Sequence, residues 1–240
     1  MKALILAGGR GRRLKEVTNE CNKSMYNFHK QPLIEYSLNN SIRAGVDEII
    51  VVVSYKAEQI INRYGNKFNG TPIKYVIQWE RKGVVHAIEC SRETIEGSNF
   101  MLFLADEILI DPKHKEFFTF FNTEELFASC GVVWVNKIDR IKNTYSVIYD
   151  ENSQRIYRLI EKPKNPFNQM MGTGNCVFKN EIFDYIESTP INQQRKEKEL
   201  PDMIQCAIDD GKPVKFFDIG GDYINVNNNQ DLMHLELISS

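Results

Sequence analysis

Four short stretches of this 240-residue chain carry side chains whose types and spacing could do chemistry. The first is Leu6-Ala7-Gly8-Gly9-Arg10-Gly11-Arg12-Arg13-Leu14. Glycines there let consecutive backbone N–H groups turn toward an anion, and arginines on the same loop supply charge matched to a polyphosphate. The loop fits neither standard phosphate pattern. There is no Gly-x-x-x-x-Gly-Lys-Ser/Thr, and Gly9-x-Gly11 leads into arginines rather than a third glycine. A tight turn with solvated arginines would read the same way, but the loop follows a buried strand directly, at the end where open α/β sheets bind ligands.

The second stretch is Phe100-Met-Leu-Phe-Leu-Ala105, which closes on Asp106 and Glu107. A carboxylate at the end of a buried strand suits Mg²⁺, a hard ion that keeps waters and bridges substrate phosphates. The third, Glu161-Lys162-Pro163, is in isolation a solvated charge pair before a proline. The fourth, Tyr223-Ile-Asn225-Val-Asn227-Asn-Asn-Gln-Asp231, has asparagines suited to capping a helix that starts near Asn228. His86 reads as a packed histidine at a helix start and stays outside the catalytic set.

The elements that must position these residues follow from periodicity. Residues 1–125 alternate short apolar runs with helical patterns, the mark of a parallel sheet covered by helices. Strands are predicted over Lys2–Ala7, Glu48–Ser54, Ile73–Trp79 and Phe100–Ala105, and helices over Pro32–Gly45, Lys56–Tyr64 and Gly83–Ile95. Beyond residue 125 the pattern loosens into strands near Val132–Val135, Tyr145–Tyr149, Ile156–Ile160, Val214–Phe217 and Tyr223–Val226, with helices at Asn180–Glu187 and Leu200–Asp209. No repeat, low-complexity linker or composition shift marks a boundary, so one domain over 1–240 is expected, in two parts that divide at about residue 125. The fold class expected is a Rossmann-like α/β/α sandwich on a mixed, mainly parallel sheet.

Composition excludes other classes. With 30 Lys plus Arg against 32 Asp plus Glu, the net charge of −2 leaves no basic tract for nucleic acid. Ala3–Ala7 is too short for a signal sequence or a membrane span, so a cytoplasmic protein without membrane contact is expected. Cys21, Cys90, Cys130, Cys176 and Cys206 stand far apart, without metal-ligand spacing, and read as reduced thiols. Asn69-Gly70-Thr71 reads as a turn.

Taken together, the motifs resemble the sugar-1-phosphate nucleotidylyltransferases, the thymidylyl enzymes among them. That family opens on LAGG-x-G-T-R-L, against LAGGRGRRL here. The resemblance implies that Leu6, Ala7, Gly8, Gly9, Gly11 and Arg13 bind nucleotide phosphates, and that Arg13 stabilises leaving pyrophosphate. Asn22-Lys23-Ser24-Met25 matches the family's lysine segment, which implies a phosphate contact for Lys23. Gln78-Trp-Glu-Arg-Lys-Gly83-Val-Val-His86-Ala87 resembles Q-x-x-x-x-G-x-A-(H/Q)-A, which assigns Gln78 and Gly83 to the nucleobase.

Tyr145-Ser146, Glu161-Lys162-Pro163 and Gly172-Thr-Gly174 follow the order of the family's sugar half. That order implies sugar-phosphate binding by Ser146, Glu161, Lys162 and Gly174, with Lys162 also in the catalytic set beside Arg13, Lys23 and Asp106. Asn225 falls where the family has its second metal ligand, as in the branch that makes UDP-N-acetylglucosamine, with Asp222 as a substitute.

The activity implied is Mg²⁺-dependent transfer from a nucleoside triphosphate, dTTP or UTP favoured, to a sugar 1-phosphate. Homo-oligomers are usual among such proteins, and no separate allosteric or acyltransferase module is expected. Departures at Arg12, Asn27, Ala105, Ser146 and Asn225 keep open a cytidylyl- or guanylyltransferase with another phosphorylated or phosphonate acceptor. A non-catalytic nucleotide-sugar sensor is a third reading, against which Arg13, Asp106 and Lys162 speak.

Overall fold

Alternating residues of the first strand enter two different cores, and that alternation sets the architecture. In a computed structural model, described over residues 1–11, 21–227 and 231, Leu4, Ile50 and Val52 pack on one face of the sheet while Ala3, Ile5, Ile49 and Val51 pack on the other. Strands buried on both faces read as continuous apolar runs, which is why Ile49–Val53 has no polar break.

The elements in chain order are β1 (Lys2–Ala7), β2 (Asn27–Phe28), β3 (Gln31–Pro32), α1 (Leu33–Ala44), β4 (Glu48–Val53), α2 (Ala57–Tyr64), β5 (Lys67–Phe68), β6 (Thr71–Ile77), α3 (Val84–Cys90), α4 (Arg92–Ile95), β7 (Phe100–Leu104) and β8 (Glu107–Leu109). They continue with α5 (His114–Thr123), β9 (Ala128–Trp134), β10 (Tyr145–Tyr149), β11 (Ile156–Glu161), β12 (Met170–Phe178), β13 (Ile191–Asn192), β14 (Glu197–Lys198), α6 (Leu200–Asp209), β15 (Val214–Asp218) and β16 (Tyr223–Asn225). Helices α1, α2 and α5 cover one face of the sheet, and α3, α4 and α6 the other, giving the expected α/β/α sandwich.

The main sheet runs β11-β10-β12-β7-β1-β4-β6-β5, with β9 pairing both β12 and β15. Its centre, β7-β1-β4-β6, is parallel throughout, and antiparallel strands flank it. The sheet is therefore mixed about a parallel centre, as expected. The parallel arrangement brings the ends of β1, β6 and β7 to one edge, so the glycine loop, Gln78 and Asp106 are neighbours there.

Local chemistry explains the boundaries. Gly45, at φ 82°, ends α1 in the left-handed conformation that L side chains disfavour. Asn69 and Gly70, at φ 47° and 88°, form the two-residue turn between β5 and β6, where paired positive φ values match strand twist. The expected helix over 83–95 is two helices broken at Ser91, whose hydroxyl bonds the Ile88 carbonyl at 2.6 Å. Asn180–Tyr185 is a 3₁₀ helix rather than an α-helix. Helix α5 and strand β12 were not expected at all. The helix start near Asn228 lies outside the described residues.

All five cysteines are free thiols, with Cys130 and Cys176 fully buried. Among the described residues no helix is long and apolar enough to cross a membrane.

Candidate active site

The loop that carries Lys23 is fastened by its neighbour. Asn22 Nδ2 donates to the carbonyls of Ala7 at 3.1 Å and Tyr55 at 2.7 Å, and Asn22 Oδ1 accepts from Ser24 N at 2.8 Å. This pins the segment to the ends of β1 and β4 and sends the Lys23 side chain inward, where the residue is 5% exposed. An ammonium so buried needs partners. Lys23 Nζ makes a short ion pair with Asp106 Oδ2 and donates to Asn227 Oδ1 at 3.1 Å.

Asp106 is aligned by a second, smaller ladder. Strand β8 begins immediately after it and pairs antiparallel with β16, which sets Asn225 opposite Glu107, and the Val226 N–H bonds the Asp106 carbonyl at 2.9 Å. Asn227 Nδ2 donates to Asn225 Oδ1 at 2.9 Å, so Asp106, Lys23, Asn227 and Asn225 form one hydrogen-bonded chain.

Asp106 and Asn225 fit a hard divalent ion. They offer one carboxylate and one amide oxygen, and among the described residues no three His, Cys, Asp or Glu side chains cluster as a metal site. A donor set this sparse suits Mg²⁺, which keeps waters and substrate phosphates in its shell, rather than a metal caged by protein. Asp222, the substitute ligand, is held by Arg140 Nη1 at 2.9 Å and by the Tyr223 N–H at 2.7 Å, and it lines none of the three cavities.

Three adjoining cavities meet at Asn225. A cleft of about 570 Å³ is walled by Leu6, Gly8, Gly9 and Gly11 from the first loop, by Gln78 and Gly83, and by Lys23, Asp106 and Asn225. A cavity of about 230 Å³ takes Glu161, Lys162, Gly174 and Asn225, and one of about 510 Å³ takes Arg140, Lys162, Arg195 and Asn225. Most of the expected residues are thus brought together.

Two are not. Ala7 is buried and meets the site only through its carbonyl on Asn22. Ser146 is fully buried inside β10 opposite Ile160 and Met171, its hydroxyl without a hydrogen-bond partner among the described residues, and it lines none of the three cavities. It belongs to the packing beneath the sugar half, because inward and outward positions alternate along a strand. Arg13 lies outside the described residues.

Glu107 lies behind the cleft, 5% exposed. Its two oxygens each accept from the Gly174 N–H at 3.1 Å, one also from the Tyr223 hydroxyl, the other from Asn175 Nδ2 at 2.9 Å. Burial raises its pKa to about 8, against those donors and with the Asp106 charge adding to the rise. A Cβ at Gly174 would stand 2.4 Å from Leu104 and 2.7 Å from Glu107, so only glycine fits. Burial likewise raises the Glu161 carboxyl, opposed by Lys162 at 3.3 Å and Arg195 at 3.1 Å.

Residues 2–227 match the family model of nucleotidyl transferases. The chain belongs to the nucleotidyl transferase family. It is 28% identical over 238 residues to the UTP–glucose-1-phosphate uridylyltransferase AglF of Haloferax volcanii, covering 96% of this chain and 93% of that one. It is 25% identical to a glucose-1-phosphate thymidylyltransferase of Streptomyces griseus, covering 98% of this chain but only 65% of that one. Among solved structures, a UDP-glucose pyrophosphorylase complexed with UDP-glucose superposes with a TM-score of 0.88 at 17% identity, covering 99% of this chain and 97% of that one, which speaks for the fold.

In this nucleotidyltransferase the sequence reading passed over Arg195, Arg140 and Glu107. Arg195 sits in Gln-Arg-Lys-Glu-Lys-Glu, a charge run that reads as a solvated face. Glu107 had a signal, since an acid between Asp106 and the apolar Ile108-Leu109-Ile110 must be buried or expelled.

Proposed function

We propose that this chain transfers a nucleotidyl group from a nucleoside triphosphate, UTP or dTTP favoured, to a sugar 1-phosphate, releasing pyrophosphate with the aid of Mg²⁺. The observation that carries the reading is the meeting of the three cavities at Asn225, beside Asp106 and Lys23. A triphosphate along the glycine loop and a sugar phosphate under Lys162 would converge there. The names of the relatives, a uridylyl- and a thymidylyltransferase for glucose 1-phosphate, support the same acceptor class.

In-line attack of a sugar-phosphate oxygen on the α-phosphorus needs no protein nucleophile. It needs positioning and charge neutralisation. Backbone N–H groups of Gly8, Gly9 and Gly11, with Lys23, hold the triphosphate. Lys162 and Arg195 hold the sugar phosphate in the cavities they share, and Glu161 accepts from sugar hydroxyls. Mg²⁺ held by Asp106 and Asn225 would supply charge to the phosphoryl oxygens as the bond to pyrophosphate breaks.

The test is pyrophosphate release from ATP, GTP, CTP, UTP and dTTP, each with a panel of sugar 1-phosphates, with Mg²⁺ and with excess chelator. Release from UTP or dTTP that stops on chelation is expected. Silence with every pair would remove the reading.

A further inference from the structure

Among the described residues Glu197 is the one charged side chain that walls both the nucleotide cleft and the sugar cavity. It stands on β14, in the hairpin with β13. The charges beside it in sequence are spent elsewhere. Arg195 is held by Glu161 at 3.1 Å and also by Glu199, and Lys198 donates to the carbonyls of Ile186 and Glu187. The Glu197 carboxylate makes no hydrogen bond or ion pair with any described residue, although the residue is half-buried. A carboxylate drawn that far from water calls for donors, and the described chain supplies none.

Gly83 gives the side chain its seat. An added Cβ there would stand 2.6 Å from Glu197 Oε2 and 3.0 Å from Glu197 Cβ, so the side chain lies directly on the glycine, which is also at φ 93°. From that seat the carboxylate borders the stretch of the cleft that leads from Gln78 and Gly83 to Asp106 and Asn225, with Val84 and Leu104 in the same shared wall. With the phosphates at the glycine loop and Asp106, and the base at Gln78 and Gly83, the pentose that joins them lies against this wall.

We propose that Glu197 reads the pentose: its carboxylate accepts from the ribose hydroxyls and so selects ribonucleoside over 2′-deoxyribonucleoside triphosphates, which sets UTP ahead of dTTP. An ionised carboxylate suits a vicinal pair of hydroxyls, since its two oxygens accept from both O–H groups at once. A 2′-deoxyribose leaves one of those oxygens without its donor in a place that water reaches poorly. The assignment rests on the reading that this cleft holds a nucleoside triphosphate, and it goes beyond it by naming what distinguishes one pentose from the other.

The experiment measures, by calorimetry with Mg²⁺, binding of the matched ribose and 2′-deoxyribose triphosphates of uracil, cytosine, guanine and adenine to the wild-type chain and to Glu197→Ala, with pyrophosphate release followed alongside. Each pair shares its base, so the ratio within a pair reports the pentose alone. For the base that binds best, wild type is expected to hold the ribonucleotide at least about 10-fold tighter than its deoxy partner. Glu197→Ala should bring that ratio close to one by weakening the ribonucleotide, while the deoxynucleotide binds no worse than it does to wild type. A variant that had merely lost its hairpin would bind both members of the pair poorly.

A wild-type ratio near one, or a ratio that survives in Glu197→Ala, overturns the assignment and leaves the transfer reading intact. So does a defect confined to the KM for the sugar 1-phosphate, which would place the carboxylate on the acceptor. Selective ribonucleotide binding without pyrophosphate release for any sugar 1-phosphate would sink the transfer reading and leave Glu197 standing. Failure of every triphosphate to bind the wild-type chain would remove both.

Discussion

Lys23 and Asp106 depend on each other, and each also faces the substrate. The ammonium is buried and meets one carboxylate oxygen and one amide oxygen, so its charge is matched before any phosphate arrives. Asp106 keeps a quarter of its side chain exposed toward the cleft, where it can serve an ion as well. Asp106→Asn preserves the shape and an acceptor for Lys23 but removes the charge. Turnover should fall by about 100- to 1000-fold, the usual loss when one preorganised charge is taken from a transition state, while the far-ultraviolet spectrum stays that of the wild type. Pyrophosphate release at a near wild-type rate would remove Asp106 from the metal site. Both residues were legible in the sequence, Asp106 from its place at the end of an apolar run and Lys23 from a motif, whereas the bond between them was not. It depends on Asn22 tethering a loop to strands that are remote in sequence.

Two short strands, β8 and β16, do for this site what the long parallel strands cannot. They carry Asp106 and Asn225 to neighbouring positions from segments more than a hundred residues apart. Glu107 ties that ladder to β12 through Gly174 and Asn175, and ties its two strands together through Tyr223. Glu107→Leu would leave three buried donors unmet. At about 1 kcal/mol or more for each, the loss is roughly 3 kcal/mol, or about 6–12 °C in Tm for a chain of this size. Glu107→Gln keeps an acceptor and should cost less than half as much, so equal melting temperatures for the two variants would show that the donors find other partners. The parallel strands were legible because burial on both faces makes a continuous apolar run. Strand β12 was not legible. Met-Met-Gly-Thr-Gly-Asn-Cys-Val-Phe carries two glycines, which usually weaken a strand, and both are demanded by neighbours the sequence does not display. The Tyr145 ring would lie 2.0 Å from a Cβ at Gly172, and Leu104 2.4 Å from one at Gly174.

At the scale of the whole molecule, the dependence of stability on pH is expected to run through a group that lines none of the three cavities. His114, at the start of α5, is 3% exposed and is joined to β12 through Asn175 Oδ1, 2.9 Å from its Nε2. Asn175 Nδ2 donates to Glu107, which leaves Oδ1 as the acceptor and the imidazole as the donor here, and the ring's Nδ1 has no partner among the described residues. Burial lowers the pKa of this histidine from 6.5 to about 4, since a proton on Nδ1 would be sealed in without an acceptor. The unfolded chain therefore binds the proton more tightly than the folded one. The stability this neutral ring contributes is fully present above pH 6.5, and it drains away as the pH falls toward 4. The total is on the order of 3 kcal/mol at 1.36 kcal/mol per pKa unit. His114→Gln keeps a donor near the place of Nε2 and cannot titrate. Carboxylates shared by the two proteins add the same acid slope to each, so the contribution of His114 is the difference between their denaturation curves. Urea midpoints taken from pH 7.5 to 4 should converge, with the wild type losing its advantage chiefly between 6.5 and 4. Curves that stay parallel over that interval would mean that the ring is protonated in the folded state, and that α5 and β12 are held together by something other than a neutral imidazole.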